Sequence, residues 1–299
     1  MQEGRGPMDE FLPPWELSTA PAAAGDEPIP SDRFRASALL DVRGLQISAG
    51  NHPDAPSLVP GISLSVSRGE VLGLVGVAGS GATEIALAIA GRLPVPALIT
   101  AGSILLDGRE LVGVSPRALG RLRGRAPSFV PADANTGLVP DRPIGRQLAR
   151  PLRTERGLSR TAAARRVLEL LDRVGLPDPR RTSLELPTQL APVALRRVLI
   201  AAAVSCHPDL LILDEPTGPR PAEADSAVFE LYRGLRQEFG FSIIMASRDL
   251  GVVAAECGRV AVLEAGRIVE QASAAEIVST PQHPHTRQLL EAARNAGFH

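Results

Sequence analysis

The stretch from Gly69 to Thr83 limits the possible folds of this chain more than any other part of the sequence. It contains an apolar strand, Val71–Val75, then a glycine-rich turn, Gly76–Gly81, and then a predicted helix over Thr83–Leu93. That order is the setting of a phosphate-binding P-loop, and the spacing is G-x-x-x-x-G-x-[ST]. Glycines let successive backbone N–H groups point at one anion, and the helix N-terminus adds its positive end. The alternative is a glycine-rich turn that only joins a strand to a helix.

One position departs from the P-loop pattern, because Ala82 stands where the motif has lysine. The motif lysine donates charge-assisted hydrogen bonds to the β- and γ-phosphates, each of about 1.5–3 kcal/mol. Its loss is expected to weaken nucleotide binding by about tenfold to a hundredfold. No other lysine can take its place, since all 32 basic residues of the chain are arginine.

Composition narrows the class of protein. A chain of 299 residues that is 44% hydrophobic can bury a core as one large domain or as two subdomains. Its 32 basic and 33 acidic residues are interspersed, which predicts no nucleic-acid surface. Cys206 and Cys257 are predicted to be buried apolar residues in a reduced, cytosolic protein. Residues 71–91 are apolar, but their glycines and polar side chains favour a strand, a turn and a helix over a membrane span.

Apolar periodicity predicts strands that alternate with helices. Residues 1–37 are rich in proline and alanine, and we expect them to form a disordered tail. Helices are expected between Pro140 and Pro192, where four apolar residues follow a helical spacing and precede a glycine stop: Val167, Leu170, Leu171, Val174 and Gly175. Further strands are predicted at Leu39–Ile47, Ile62–Val66, Ser103–Gly108, Leu210–Leu213, Phe241–Met245 and Val260–Leu263. This alternation indicates an α/β fold with a mostly parallel sheet and helices on both faces.

Three stretches together resemble an ABC-transporter ATPase: Gly76–Thr83, Leu210–Pro216, and Ala265–Gln271 leading to His283–Arg287. The last stretch makes the chain most similar to the oligopeptide/dipeptide importer branch, and the resemblance covers about residues 38–292. Gly81–Glu84 also resembles the lysine-less second ATPase half of sugar importers, although that likeness is local.

The resemblance implies the P-loop ABC ATPase fold, with a mostly parallel core sheet, an antiparallel β subdomain and a helical subdomain. It divides the chain into an ATPase-like domain at 38–277, with the helical subdomain at about 140–192, and a C-terminal extension of the oligopeptide-transporter type at 278–299. It also implies ATP and Mg²⁺ as cofactors.

The resemblance assigns roles to residues of this sequence. Mg²⁺ would be held by Thr83 and Asp214, and Glu215 is the candidate catalytic residue that would polarise the attacking water. The alternative for Glu215 is that Asp214-Glu215-Pro216 serves only to pack the strand end. The nucleotide is assigned to Gly76, Gly79, Ser80, Gly81, Ala82, Thr83 and Asp214.

Other motifs of that branch are altered here. Ala49 stands for the aromatic residue that stacks on adenine, and Ala132 for the glutamine of the Q-loop. The D-loop becomes Thr217–Pro221, and Arg248 replaces the switch histidine. Arg248 is either a substitute contact for the γ-phosphate or a solvated surface arginine.

The signature Leu-Ser-Gly-Gly-Gln becomes Leu190–Ala194. In the family, each ATP lies between one P-loop and the signature of a second, facing domain. Ala191 removes the signature hydroxyl, Pro192 removes a backbone donor, and Val193 brings a β-branched side chain where the backbone must approach closely. Both composite sites of a dimer would therefore be damaged.

These observations favour a nucleotide-binding-type subunit of an ABC importer for peptides or related solutes, catalytically impaired and paired with an active ATPase in a heterodimer. Its expected location is cytoplasmic, at the inner face of the cell membrane, held there by transmembrane permease subunits. One alternative is a slow but genuine ATPase subunit, and another is a non-enzymatic scaffold or regulator.

In the family, the helical subdomain and the adjoining Q-loop form the groove that receives a short helix from the membrane subunit. The apolar pattern kept at Val167, Leu170, Leu171 and Val174 therefore predicts assembly with a permease through this subdomain. The alternative is that the same apolar face only closes the subdomain's own core.

Overall fold

The computed structural model describes residues 38–52, 54–114, 126–216 and 222–298. The predicted tail at 1–37 and the altered D-loop at 217–221 lie outside these ranges. The strands are β1 (Ala38–Ser48), β2 (Ser57–Ser67), β3 (Val71–Val75), β4 (Leu98–Leu106), β5 (Arg109–Glu110), β6 (Ser128–Val130), β7 (Leu210–Asp214), β8 (Ser242–Ser247), β9 (Arg259–Glu264) and β10 (Arg267–Ser273).

Helices cover both faces of the core and form a separate helical region in the middle of the chain. In the described ranges they are α1 (Ala82–Ile89), α2 (Ile144–Thr154), α3 (Arg160–Arg173), α4 (Pro179–Leu184), α5 (Pro192–Val204), α6 (Ala222–Phe239), α7 (Leu250–Glu256), α8 (Ala274–Ser279) and α9 (Pro284–Asn295). None of these helices is long and apolar enough to cross a membrane.

The core sheet has six strands in the order β10-β9-β3-β8-β7-β6. Its neighbours pair in parallel, apart from the antiparallel β9–β10 hairpin at one edge. Strands β3, β7 and β8 are buried along their whole length. Both faces of such strands are covered, which explains why their sequences are continuous apolar runs. The predicted mostly parallel sheet is confirmed.

A second, antiparallel sheet has the order β2-β1-β4-β5. Its β4–β5 hairpin turns at Asp107 and Gly108, whose φ angles of 51° and 73° are the positive values that a tight two-residue hairpin turn requires. Side chains of β1, β2 and β4 share one apolar cluster with α1 and with one face of the core sheet. This cluster joins the antiparallel sheet to the helix that follows the glycine-rich loop.

Helix α1 is shorter than the predicted span, which extended to Leu93. The helix ends at Ile89 because Gly91 adopts a left-handed conformation, with φ at 63°. The Gly91 amide donates to the carbonyl of Ala88 at 3.0 Å, and the Arg92 amide donates to that of Leu87 at 2.8 Å. This pair of bonds is a Schellman motif, which satisfies the last carbonyls of the helix and stops it.

The helical region between residues 140 and 192 contains α2, α3 and α4 and leads into α5. The four periodic residues of α3 and its end, Val167, Leu170, Leu171 and Val174, are at most 1% exposed and belong to the main apolar cluster. Gly175 ends this helix with φ at 75°, as predicted. The apolar stripe of α3 therefore serves the core of the chain itself, and it gives no evidence of a partner.

The C-terminal residues form α8 and α9, which pack on α7. The division expected at residue 278 falls inside α8, and Ile277 and Leu290 on either side of it belong to one apolar cluster. That domain boundary stays a prediction. Glu270 of β10 holds the segment between the two helices, because its carboxylate accepts from the backbone amides of Gln282 at 2.8 Å and His283 at 2.9 Å.

Glu270 makes the stability of this C-terminal segment dependent on pH. Burial by itself raises the pKa of Glu270, but the backbone amides of Gln282 and His283, the Thr286 side chain and the His283 charge together outweigh that effect and lower the pKa from the ordinary 4.5. A lowered carboxyl pKa stabilises the fold fully above 4.5, and this contribution is lost as the pH falls through the folded value.

We therefore expect Glu270→Gln to reduce the free energy of unfolding by about 0.5–1 kcal/mol at neutral pH. The difference from the unmodified chain should be smaller near pH ~3, because the stabilisation is lost below 4.5 as the pH falls through the lower folded pKa of the carboxyl. Urea unfolding at the two pH values measures it, with Glu291→Gln on the exposed face of α9 as the matched control. A difference that stayed the same at both pH values would contradict the ionic origin.

Candidate functional site

A cavity of about 370 Å³ lies where β3, β7 and β8 end at one edge of the core sheet. The carboxyl edge of a parallel sheet is where α/β proteins bind their ligands. We name it the P-loop cavity; its lining comprises Gly76, Val77, Ala78, Gly79, Ser80, Gly81, Ala82, Thr83, Glu84, Ala132, Asp214, Glu215, Ser247 and Arg248. Every residue predicted for the nucleotide, the metal ion and catalysis is therefore brought together in this cavity.

The glycines of the loop are required by its shape. A Cβ atom at Gly76 would lie 2.5 Å from the carbonyl oxygen of Leu263, so only glycine fits where the loop leaves β3. Gly79 and Gly81 have φ angles of 79° and 94°, which L side chains rarely adopt. Gly79 lies at the exposed tip of the loop, and Gly81 is the N-cap of α1. The loop thus forms a backbone cradle at a helix N-terminus, which suits a phosphate group.

Ala82 occupies the first position of α1 and is 7% exposed. Ala82 lines the cavity at the position where the motif has lysine, and it brings no charged group there. Among the described residues that line the cavity, the ionisable side chains are three carboxylates and one guanidinium, Glu84, Asp214, Glu215 and Arg248. The fixed charge is therefore net negative, and Arg248 is the only cation that this described lining offers to an anionic ligand.

Thr83 and Asp214 place two side-chain oxygen atoms, both possible metal ligands, beside the loop. The Thr83 hydroxyl donates to Oδ1 of Asp214 at 3.0 Å. Burial raises the pKa of Asp214 and the Thr83 hydrogen bond opposes that rise. A hydroxyl and a carboxylate are hard oxygen ligands of the kind that Mg²⁺ takes together with waters and phosphates. This donor set therefore fits the metal ion that the sequence predicts, with Thr83 and Asp214 as its two protein ligands.

Glu215 is held in a fixed and unusual geometry at the end of β7. Its backbone has φ at 43°, a left-handed conformation that non-glycine residues seldom adopt. Its amide donates to the carbonyl of Ala246 at 2.9 Å. Its carboxylate accepts from the Ser247 hydroxyl at 3.3 Å and from Nε of Arg248 at 2.8 Å. The side chain that would act as a base is thus occupied by a guanidinium.

Arg196 of α5 ties two loops of the cavity together. Its guanidinium donates to the carbonyl of Ala132 at 2.8 Å and to that of Pro216 at 3.0 Å. Sequence reasoning missed this residue, although an arginine pair inside a mostly apolar helix was a visible signal. Arg196 therefore holds the backbone at Ala132, the Q-loop position, and at Pro216, which follows Glu215. The alanine at the Q-loop position has no polar side chain of its own with which to make such contacts.

Other residues with predicted roles lie away from the cavity or outside the description. Ala49 follows β1, and it is not among the described residues that line the cavity. In the altered signature, Ala191 is the N-cap of α5 without a side-chain cap, Pro192 is the first helical residue, and Val193 is 45% exposed. Cys206 and Cys257 are buried and free, as predicted. The described residues contain no cluster of three or more metal-binding side chains.

A second cavity, of about 420 Å³, opens between the core sheet and the helical region. We name it the groove. Its walls include Phe129 in β6, Pro131 just after β6 and Leu199 in α5. Two charged residues also line it: Arg92, which follows α1, and Glu155, which follows α2. Mostly apolar side chains line it, together with one arginine, one glutamate and two serines. Pro131 lines the groove while the next residue, Ala132, lines the P-loop cavity, so the two cavities share this segment as a common wall.

Residues 59–218 match the sequence family described as ABC transporter. The chain is 35% identical over 257 residues to the "Probable peptide ABC transporter ATP-binding protein y4tR" of Sinorhizobium fredii, which covers 86% of this chain and 77% of the relative. It is 37% identical over 253 residues to the "Dipeptide transport ATP-binding protein DppD" of Haemophilus influenzae, which covers 85% of this chain and 77% of that protein.

The fold is also found among solved structures. That of cbiO1 from Clostridium perfringens, described as part of the ABC transporter complex cbiONQ, gives a TM-score of 0.68 at 24% identity. The match covers 87% of this chain and 96% of that one. Together with the P-loop cavity at the edge of the core sheet, these matches show that the chain belongs to the ATP-binding domains of the ABC transporter family.

Proposed function

We propose that this chain is a nucleotide-binding-type subunit of an ABC importer for peptides or related solutes, catalytically impaired and paired with an active ATPase subunit. The observation that carries the proposal is a P-loop cavity with its cradle intact and its lysine replaced by Ala82. The solute class is supported by the names of the peptide and dipeptide relatives.

The impairment is supported by where the charges lie. A nucleoside triphosphate is a polyanion, and the described lining of the cavity presents it with three carboxylates and one guanidinium. The cradle amides and the Thr83–Asp214 pair remain, and a bound Mg²⁺ would offset part of the phosphate charge. Glu215 Oε1 is paired with Nε of Arg248 at 2.8 Å, so one of the two carboxylate oxygens that could accept a proton from water is already engaged.

Assembly with a permease is supported by the groove. The apolar residues along α3 give no such support, because they are buried in the core of the chain itself. The groove combines apolar walls with Arg92 and Glu155, a surface that suits a short amphipathic helix with polar ends. It shares the segment of Pro131 and Ala132 with the P-loop cavity, which offers a physical connection between the two. In this proposal the permease holds the chain at the inner face of the cell membrane.

A slow but genuine ATPase is the second candidate, and the Thr83–Asp214 hydrogen bond of 3.0 Å favours it. Hydrolysis measured in single turnover, by the purified chain alone and with its candidate ATPase partner, separates the two. No burst of product from the chain alone, and activity only when the partner is present, is the result expected of an impaired subunit. Stoichiometric hydrolysis by the isolated chain would favour the slow enzyme.

The isolated chain should bind nucleotide weakly. Ala82 supplies no charge, and Ala49 offers no aromatic surface for a base. Calorimetry with Mg-ATP is expected to show little binding at micromolar nucleotide. A submicromolar Kd would contradict the proposal.

Restoring the motif lysine should recover binding without recovering turnover. Ala82→Lys is expected to strengthen Mg-ATP binding by about tenfold to a hundredfold, because it returns charge-assisted hydrogen bonds of about 1.5–3 kcal/mol. Ala78→Lys is the matched control, since it adds the same charge at the exposed tip of the same loop. Equal gains from both variants would show that charge alone matters; family-like steady-state hydrolysis by Ala82→Lys would show that the other altered motifs do not.

Charge reversal in the groove should disrupt assembly while the chain stays folded. Glu155→Arg changes a wall of the groove, and Glu169→Arg on α3 is the matched control outside it. Reversals at the exposed arginines of α2 extend the series: Arg146, Arg150 and Arg153. Co-purification with a co-expressed peptide-importer permease is the measurement. Loss with Glu155→Arg but not with Glu169→Arg supports the groove, and co-purification undiminished by every substitution in α2 and at Glu155 refutes it.

A further inference from the structure

Helix α2 carries a row of arginines that the described part of the fold leaves without partners. Arg146, Arg150 and Arg153 are spaced by four and by three residues, so they share one face of the helix, and all three are exposed. We name this row the arginine stripe. Within the residues that the structure describes, its guanidinium groups make no ion pair and no hydrogen bond. Like charges at this spacing repel each other, so the stripe weakens α2 unless something outside the helix neutralises it.

The neighbouring helices neutralise arginines of their own. On α3, Arg165 and Arg166 both pair with Glu169, at 3.5 and 3.1 Å, and on α4 Arg181 pairs with Glu185 at 2.9 Å. Helix α2, in contrast, contains no carboxylate. The arginine stripe is therefore a positive surface whose charge is not balanced on its own helix.

An exposed apolar side chain lies beside the start of this helix. Residues 183–185 pack on it, because the amide of Ile144 donates to the carbonyl of Glu185 at 3.0 Å and a Cβ at Gly145 would lie 2.8 Å from the carbonyl oxygen of Ser183. Leu184, in the middle of this contact, is 78% exposed. Guanidinium groups pair with carboxylates and also stack on aromatic rings. The surface therefore suits a partner that carries aromatic side chains between carboxylates.

The N-terminal sequence of the same chain has this composition. Residues 1–30 carry six carboxylates and one arginine, whereas residues 140–192 carry eleven arginines and six carboxylates. Residues 9–17 read Asp-Glu-Phe-Leu-Pro-Pro-Trp-Glu-Leu, which places Phe11 and Trp15 between Glu10 and Glu16. We name residues 9–17 the acidic segment. Its charge and its aromatic side chains complement the arginine stripe and Leu184.

The chain that connects the two is long enough for them to meet. Residues 18–37 separate the acidic segment from β1. When extended they span about 65–70 Å, which exceeds the diameter of about 45–50 Å of a domain of this size. A tethered segment meets its site at an effective concentration on the order of 1 mM, so a contact with a Kd of about 1 mM is half occupied.

We propose that the acidic segment docks on the arginine stripe of its own chain. Its carboxylates meet the guanidinium groups of α2, and its aromatic side chains cover Leu184 and the guanidinium planes. The contact is electrostatic and lies on an exposed face, so salt weakens it. It stands apart from the proposed function, because it requires neither a nucleotide nor a permease.

The test uses Trp15, which is the only tryptophan of the chain and therefore reports on the acidic segment directly. Acrylamide quenching of its fluorescence is measured in the full chain without nucleotide, at about 10 mM and about 1 M salt. At low salt the quenching constant should be about half of its value at 1 M or less, because a Debye length of about 3 Å screens the contact at 1 M. Arg146→Glu combined with Arg150→Glu should give the high-salt value already at low salt.

The matched control changes the net charge by the same amount elsewhere. Arg109→Glu combined with Arg294→Glu alters exposed arginines of β5 and α9 and should keep Trp15 protected at low salt. Asp9→Arg combined with Glu10→Arg should release Trp15. Joining these two substitutions to the reversed stripe should restore the protection, because the charges are opposite again. Thermal melts check that each variant is folded.

The outcomes that contradict the proposal are distinct. Quenching that is equal at both salt concentrations, or unaffected by reversal of the stripe, overturns the docking. Release by the control pair as well would show that overall charge, and not the stripe, holds the segment. A combined variant that stays unprotected overturns the pairing of these two surfaces. Protection that falls on dilution would assign the stripe to the acidic segment of a second copy and overturn docking within one chain.

Discussion

The ion pair between Glu70 and Arg259 fixes the strand that carries the glycine-rich loop. Glu70 directly precedes β3, and its Oε1 accepts from Nε of Arg259 at 2.7 Å, where both side chains are largely buried. Glu70 Oε2 also accepts from the amide of Ser67 at 2.6 Å, and Arg259 donates to the carbonyl of Ser65 in the antiparallel sheet. Removing one partner of a buried pair costs about 3–5 kcal/mol. The pair therefore joins both sheets at the start of β3.

The position of the P-loop cavity follows from that junction. With β3 held between β8 and β9, the loop leaves the sheet beside the ends of β7 and β8, where Asp214, Glu215 and Arg248 are found. Gly73 shows how closely the far face is packed, since a Cβ there would lie 2.1 Å from Cγ1 of Val253 in α7. Strand β3 cannot shift toward α7 without a clash. The position of the glycine-rich loop relative to the carboxylates of Asp214 and Glu215 is therefore fixed.

Local sequence signals were sufficient for the elements that bury continuous apolar runs. Strands β3, β7 and β8 and the glycine stop at Gly175 depend on a few neighbouring residues, and each lies where the pattern predicts. The end of α1 was predicted too late, because the apolar periodicity was followed past Gly91 to Leu93 although a glycine at this position is a helix-stop signal. The stripe of α3 shows the limit of periodicity, since it predicts burial but not what covers the buried face.

Long-range polar contacts could not be predicted from the sequence. The Arg196 bonds to Ala132 and Pro216 and the Arg248 bond to Glu215 join residues separated by 64, 20 and 33 positions. Each requires two loops to meet at one edge of the sheet, which is a property of the topology and not of any local pattern. Motif comparison identifies Glu215 and Arg248 separately, as a catalytic carboxylate and a lost histidine; only the structure shows that they are paired.

This pairing changes the meaning of the substitution at position 82. Ala82 opens α1, whereas Arg248 follows β8 on another wall of the same cavity. A cation at the helix start acts together with the cradle amides on one group of phosphates, but a cation across the cavity acts on whatever extends beyond the cradle. In the described lining, the only guanidinium of the cavity is therefore also the group that is paired with Glu215.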